Sequence, residues 1–228
     1  MTELAVEQGH AATRPLRERF RPMRIAVLIY MIGEGGLALS NGVEAYFLSA
    51  HGLDPFEDLG MSSGVFALAV VAVGLMQLGG LFASVVLVAM WTFRAMKNLH
   101  IVGAPGVSMT PGWAVGWYFI PIANLWKPFE GMLQIWRESH RLAGRPEKVA
   151  AYVGWWWACW IGGGILSQIS LRLTGFIEPL PTYEAGLAVA VIAGLVSVAG
   201  GYLLLRTTSQ VTAMQAEMRV GGLADTFS

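Results

Sequence analysis

The chain has 228 residues, of which 55% are hydrophobic and only 13% charged, and its fifteen basic and fifteen acidic side chains leave no net charge. Soluble domains carry about 25% charged residues; a chain this apolar would expose large patches and aggregate in water, so the composition excludes an ordinary soluble domain and points to a bilayer as the solvent. The length is that of one domain, the absent net charge leaves no global footprint for nucleic acid, and the single cysteine, Cys159, excludes an internal disulfide and reads as an inert buried thiol.

Residues 1–24 are polar and arginine-rich and read as a basic cytoplasmic segment. The apolar run that follows is too long and too polar for a signal-peptide core and lacks a small-x-small cleavage signal, so it reads as an uncleaved first span. A hydrocarbon core about 30 Å thick takes about 20 helical residues to cross. Four runs reach that length, at 25–49, 64–93, 149–173 and 185–205. The first is the most polar, carrying Glu34, Asn41 and Glu44; the second is nearly pure aliphatic; the third opens with Trp155, Trp156, Trp157 and Trp160. Residues 207–228 are left as a cytoplasmic tail, and the membrane domain is 25–206.

The basic residues fix the orientation. With four spans and the N-terminus inside, only Arg172 falls at the outer face, and the other fourteen lysines and arginines lie inside or at the inner interface. The loop from His51 to Met61 holds Asp54, Glu57 and Asp58 and no basic residue, as suits an outer loop.

A fifth apolar stretch, Trp113 to Trp126, is below spanning length, broken by Pro121 and closed by Pro128. If it crossed, the basic segment Lys127 to Lys148 would move outside, against the same rule. It is therefore expected to be re-entrant or interfacial on the cytoplasmic side, within an element covering 111–143. Backbone that is not helical at that depth must be buried in protein or line a wet cavity. Thr110-Pro111 reads as an N-cap with proline at the first helical position, Pro121 ends or kinks the helix, and Pro128 opens the next. There Phe129, Met132, Leu133, Trp136 and His140 share one face while Glu130, Gln134, Arg137, Glu138 and Arg141 share the other. That amphipathic pattern suits either a membrane surface or the protein's own cytoplasmic face.

The stretch Pro111-Gly112-Trp113-Ala114-Val115-Gly116-Trp117-Tyr118-Phe119-Ile120-Pro121-Ile122-Ala123-Asn124-Leu125-Trp126-Lys127-Pro128 is specific. Together with Trp91, Arg94, Lys97-Asn98-Leu99 upstream and Ile135-Trp136 downstream, it resembles a bacterial family of multi-pass membrane proteins known only as a domain of unknown function. The resemblance covers the middle of the chain and, more loosely, the four spans. Tyr118, Phe129 and Glu130 are mild departures from it, and Glu130 adds a negative charge near Lys127. The resemblance implies a fold and a membrane location, and no activity.

Several residues are candidates for chemistry. Glu34 lies nine residues past Ile25, so roughly 13 Å into the bilayer. A carboxylate there marks a functional site by default; the alternative is a structural partner such as Asn124, Gln77 or Lys127. Glu34 and Asn41 are seven residues apart and share a helix face, and Asn41 is within one turn of Glu44. Arg94 and Lys97, with Lys127, form an inner-interface basic cluster that either snorkels or meets lipid headgroups. Asn124, between two prolines, either contacts an ion, as in discontinuous transporter helices, or caps freed backbone. Trp113, Trp117, Trp126, Trp136, Trp155, Trp156 and Trp157 are expected in an aromatic belt. His10, His51, His100 and His140 are scattered, and no metal-ligand spacing exists. No nucleotide-binding loop, nucleophile elbow or zinc-protease motif is present, so neither catalytic residues nor a cofactor is expected. Glycine is abundant, at 28 residues, which allows close helix packing within one chain or between subunits.

The expected fold is all-α and integral to the membrane: four transmembrane helices plus the re-entrant or interfacial element. The expected setting is the bacterial cytoplasmic membrane, with both termini cytoplasmic and lipid, a homo-oligomer or a partner membrane subunit as company. The expected role is a non-enzymatic accessory, scaffold or interaction subunit; the alternative is a small ion or solute channel or transporter using Glu34 and the broken segment 121–128.

Overall fold

A computed structural model describes residues 14–52, 54–56, 60–146, 151–175 and 180–224. Glu57 and Asp58 of the acidic loop, Lys148, and the outer parts of both terminal segments lie outside the described residues. Among the described residues the chain is all-helical, with no strand. The helices are α1 (Arg17–His51), α2 (Met61–Ile101), α3 (Pro111–Gly116), α4 (Lys127–Leu142), α5 (Ala151–Leu173) and α6 (Leu180–Ala224).

The long helices overrun the expected spans. α1 begins at Arg17 rather than at residue 25, α2 runs eight residues past Phe93, and α6 continues through the segment expected as a tail. These extensions are polar on one side and buried on the other: Met23, Met96, Leu99, Val211 and Met214 are all core residues. Hydropathy marks where a helix could meet lipid, not where its hydrogen-bond ladder stops.

Among the described residues three helices, within Arg17–His51, Ser62–Ile101 and Pro181–Glu217, are both long and apolar enough to cross a membrane. α5 has 23 residues, enough length for about 34 Å of helix. Its apolarity is diluted by Trp155, Trp156, Trp157, Trp160, Gly162, Gly163, Gly164 and Gln168.

The chain divides into two compact units. One holds residues 25–84 and 155–203, the other residues 1–24, 85–154 and 204–228. The first consists of the apolar stretches of α1, α2, α5 and α6, packed through glycines. A Cβ at Gly33 would meet Gln77 Cα at 2.6 Å, and one at Gly80 would meet the Tyr30 backbone nitrogen at 2.6 Å. A Cβ at Gly201 would meet Met31, one at Gly194 would meet Ala38, and one at Gly200 would meet Cys159. Pairing 33 with 77 and 30 with 80 makes α1 antiparallel to α2. Pairing 38 with 194 and 31 with 201 makes α1 antiparallel to α6, and 159 with 200 and 163 with 197 do the same for α5 and α6. The contacts run in the order α2, α1, α6, α5. Small residues at a seam let backbones approach, which is how helices gain van der Waals contact where lipid is as apolar as leucine. α2 lies at the edge of this row: its apolar window is 6% buried, against 28% in α1 and 33% in α6.

The second unit has an ordinary core. Trp91, Met96, Leu99, Met132, Ile135, Trp136, Val211 and Met214 are almost wholly shielded, each contributing about 1.5–3 kcal/mol through removal from solvent. α2 ends at Gly103, whose φ of 66° lets the Ala104 amide turn back to Leu99 O at 3.0 Å. α4 closes the same way at Gly144, φ 61°, with the Arg145 amide on His140 O at 3.0 Å. Both are left-handed glycine stops, a conformation that a side chain with a Cβ rarely takes.

The broken element follows the proline signals. Thr110 caps α3, its hydroxyl accepting from Trp113 N at 3.3 Å, with Pro111 in the first turn. After Gly116 the chain passes through two 3-10 turns, Trp117–Phe119 and Ala123–Leu125, separated at Ile120, which is extended, and Pro121. Pro128 then sits in the first turn of α4. The buried face of α4 is Pro128, Gly131, Met132, Ile135, Trp136, Ser139 and His140, together with Glu138. Met132, Trp136 and His140 match the expected apolar face. Phe129 and Leu133 are only half-buried and Glu138 turns inward, so the face is rotated. α4 packs on its own unit: three residues on the buried face, Met132, Ile135 and Ser139, have no exposure at all.

Candidate functional site

In the first unit, α1 presents its acids to two different neighbours. Gln77 Nε2, on α2, donates to Glu34 Oε1 at 2.8 Å. The Tyr30 hydroxyl, one turn earlier on α1, lies within reach of both the Glu34 carboxylate and the Ser197 hydroxyl of α6. Glu34 therefore sits where polar groups from three helices meet. Gln77 can approach because Gly33 on α1 and Gly80 on α2 place no side chain where the two helices meet. In low dielectric such bonds are strong, and an unpaired group is correspondingly costly.

Glu44 does not join this cluster. It is buried against α6 and accepts a very short hydrogen bond from the Tyr183 hydroxyl. Asn41 is half-buried between the two sites. Of the three partners considered for Glu34, Gln77 supplies the bond. Tyr30, Ser197 and Tyr183 were not singled out by the sequence, although Tyr30 precedes Glu34 by four residues and so had to share its face.

In the second unit, the polar groups form a network through Gln215. Its Oε1 accepts from Asn98 Nδ2 at 3.1 Å, and its Nε2 donates to Ala95 O at 3.3 Å and Ser139 Oγ at 3.2 Å. Asn98 Nδ2 also reaches Arg14 O at 3.2 Å, and Trp91 Nε1 donates to Thr212 Oγ1 at 3.1 Å. One glutamine thus ties α6 to α2 and α4. No motif announced it: Thr207, Thr208, Thr212 and Gln215 fell in the presumed tail, yet all are buried.

The broken element is clasped from α4. Gln134 Oε1 accepts from the Ser108 and Met109 amides, both at 3.1 Å, and Gln134 Nε2 donates to Ser108 Oγ. A ring nitrogen of His100 lies 3.0 Å from Met109 O. Glu138 bonds Arg141 at 2.8 Å and lies directly against Gly106. The Tyr118 and Thr92 hydroxyls face each other, both shielded and without hydrogen-bond geometry. Burial pushes the Tyr118 hydroxyl pKa up to about 12, and the Thr92 hydroxyl pulls weakly the other way. Asn124 Oδ1 is likewise shielded and unpartnered, so it does not accept a bond from backbone freed by the prolines.

Lys127 separates from the expected basic cluster. It pairs with Glu130 at 2.6 Å and lies 6.0 Å from the centre of the Trp117 ring, which in turn stacks on Trp113. Arg94 and Lys97 stay together on α2, with Lys97 exposed.

The tryptophans divide. Trp113, Trp126 and Trp155 are exposed and Trp117 is half-buried. Trp136, Trp156 and Trp157 turn inward as core instead of joining a belt, because their positions fall on the packed faces of α4 and α5. Beside Trp113 and Trp126, the large apolar side chains Phe119, Ile122 and Leu125 are exposed, Phe119 at 71% and Ile122 at 72%.

Among the described residues no group of three or more His, Cys, Asp or Glu is placed to hold a metal ion. His140 Nδ1 is 2.9 Å from Trp136 O. A protein-family model with the description "Domain of unknown function (DUF4328)" matches residues 62–213. No curated protein and no solved structure matches the chain.

Proposed function

The chain belongs to this family of unknown function, and from that premise we propose that it is a four-span protein of the bacterial cytoplasmic membrane, with both termini cytoplasmic, acting as a non-enzymatic interaction subunit. Two points support the topology. α5 pairs with α6 from Cys159 against Gly200, through Gly163 against Ser197, to Ser170 Oγ on Gly186 O at 2.9 Å; if α6 crosses the bilayer, α5 is carried with it. Finally, by sequence, residues 1–24, 85–154 and 204–228 carry fourteen basic and eight acidic side chains, net +6, while the rest carries one basic and seven acidic, net −6. Positive charge collects on the cytoplasmic side.

In this topology the broken element 111–143 stays on the inner side without crossing. Its Trp113 to Trp126 stretch rests at the interface.

The observation that carries the interaction role is the edge position of α2, whose apolar window is 6% buried. Extraction in a gentle detergent, followed by mass determination of the intact particle, tests it. A stoichiometric partner or a defined oligomer is expected, and a lone monomer carrying only lipid would contradict it. A second reading, a channel or transporter, is favoured by the meeting of Glu34, Gln77, Tyr30 and Ser197. Glu34→Gln would then abolish ion or proton flux with assembly intact; equal flux in the variant would remove this reading.

A further inference from the structure

Glu34 is an acid without a counter-charge. Among the described residues it enters no ion pair. By sequence its unit holds a single lysine or arginine, Arg172, in the last turn of α5. The other titratable groups described in that unit are engaged or turned elsewhere. Glu44 bonds Tyr183, Cys159 lies against Gly200, and Tyr46 and Tyr202 are exposed. His51, Asp54 and Glu184 belong to helix ends and to the loop after α1. Tyr30, one turn earlier on the same helix, is the titratable group that faces Glu34.

The neighbours of Glu34 share one chemical property. Gln77 sets its amide against Glu34 Oε1 at 2.8 Å. Ser197 lies on α6 between two glycines that touch α1: a Cβ at Gly194 would meet Ala38 and, at 3.2 Å, Glu34 O, and one at Gly201 would meet Met31. An amide carries N–H donors and a carbonyl acceptor at the same end, and a hydroxyl both donates and accepts. Against an ionised carboxylate the Gln77 amide donates, as it does here. Against a protonated carboxyl the amide turns over and its oxygen accepts the new O–H. Both charge states of Glu34 are therefore hydrogen-bonded with no movement of the backbone. A hard divalent cation is served badly by the same set, since it takes about six to eight oxygens. Here the carboxylate meets an N–H and hydroxyls, and no group of three or more His, Cys, Asp or Glu forms among the described residues.

α2 supplies a second, independent observation. Ser84 follows Gln77 by seven residues, on the same face and about 10.5 Å further along the axis. Gly80, between them on that face, touches Tyr30. Ser84 is 8% exposed, and its hydroxyl has no hydrogen-bond partner. Folded proteins keep few buried hydroxyls unpaired. This one extends the line of groups able both to donate and to accept beyond Gln77.

We propose that the species taken up at Glu34 is the proton, bound reversibly on the carboxyl, and not a metal cation. This rests on the second reading above, of a channel or transporter. Uptake forms one O–H bond on a carboxylate oxygen as a hydronium O–H breaks and water leaves; release reverses both. A carboxylate in low dielectric with no cation beside it gains most from neutralisation, and the proton is the cation that needs no further ligands.

The test uses the full chain in phosphatidylcholine vesicles. An enclosed pH dye follows proton entry under a potassium–valinomycin potential, and an enclosed sodium dye follows sodium entry under the same potential. Infrared difference spectra between acid and alkaline samples read the protonated carboxyl directly. The expected result is proton entry without sodium entry, and a carboxylic-acid band at low pH. Glu34→Gln, which keeps the shape of the side chain, should lose both the proton entry and the band, and Glu34→Asp should retain both in part. Sodium entry that depends on Glu34, without proton entry, overturns the inference and leaves the channel reading standing. Proton entry equal in Glu34→Gln, or no entry of either ion, overturns both. A Glu34 carboxyl that stays ionised at every pH overturns the inference whatever the flux.

Discussion

The bond from Gln77 to Glu34 can be weighed by a double-mutant cycle. Gln77→Leu removes the donor 2.8 Å from Glu34 Oε1, Glu34→Leu removes the acceptor, and the pair together isolates their coupling. A neutral hydrogen bond between membrane helices is worth about 0.6 kcal/mol, with about 1.7 kcal/mol the largest found. A bond to an ionised group in a folded protein reaches about 1.5–3 kcal/mol. The Tyr30 hydroxyl also approaches Glu34 and would share whatever charge is present, so a coupling of about 1 kcal/mol is expected. Gln77→Leu alone should cost more, about 1–3 kcal/mol, because it also leaves the carboxyl less satisfied in a half-buried seam. Reversible unfolding in mixed micelles, followed by tryptophan fluorescence, gives all four corners of the cycle. Coupling within about 0.3 kcal/mol of zero would refute the claim that these two side chains hold α1 to α2.

The glycine seam and the buried network give two further tests. Gly80→Ala puts a Cβ at 2.6 Å from Tyr30 N, so it should destabilise by about 1–3 kcal/mol, whereas Gly79→Ala, with nothing within 4 Å of the added carbon, should be neutral in the same unfolding assay. Gln215→Leu removes bonds to Asn98, Ala95 and Ser139 and should cost about 2–4 kcal/mol and expose the 204–217 stretch to protease. Tyr118→Phe deletes a hydroxyl that is shielded without a hydrogen bond, so its stability should stay within about 0.5 kcal/mol of wild type.

The parts of the fold legible in the sequence were those set by local backbone chemistry and by gross apolarity. Thr110-Pro111 started a helix, Pro121 ended the helical run, and Pro128 opened the next, because cap and proline rules act within a few residues. The apolar stretches of α1, α2 and α6 were readable from length. α5 was harder to weigh, since its tryptophans and glycines serve packing and lower hydropathy at once. The polar extension of α6 was misread as a tail: Val211, Met214 and Gln215 are spaced three and four apart, but the intervening polar residues hid the stripe until α2 and α4 supplied its partners. The candidate site was half visible. An acid inside an apolar run drew attention to Glu34, and Gln77 was a plausible mate, but the convergence of Tyr30 and Ser197 depends on helix pairing, which one sequence does not encode locally. The basic cluster was over-grouped because Lys127 pairs with its own i+3 neighbour, Glu130.

The four-span topology is tested most directly by cysteine labelling in intact cells. With Cys159→Ser as background, single cysteines at Arg14, Gly52, Gly144 and Ser209 are treated with a membrane-impermeant thiol reagent. Gly52→Cys should react from outside, while the other three should react only after the membrane is permeabilised. If α5 did not cross, residues 144 and 209 would fall on opposite sides, and external labelling of one of them would contradict the account.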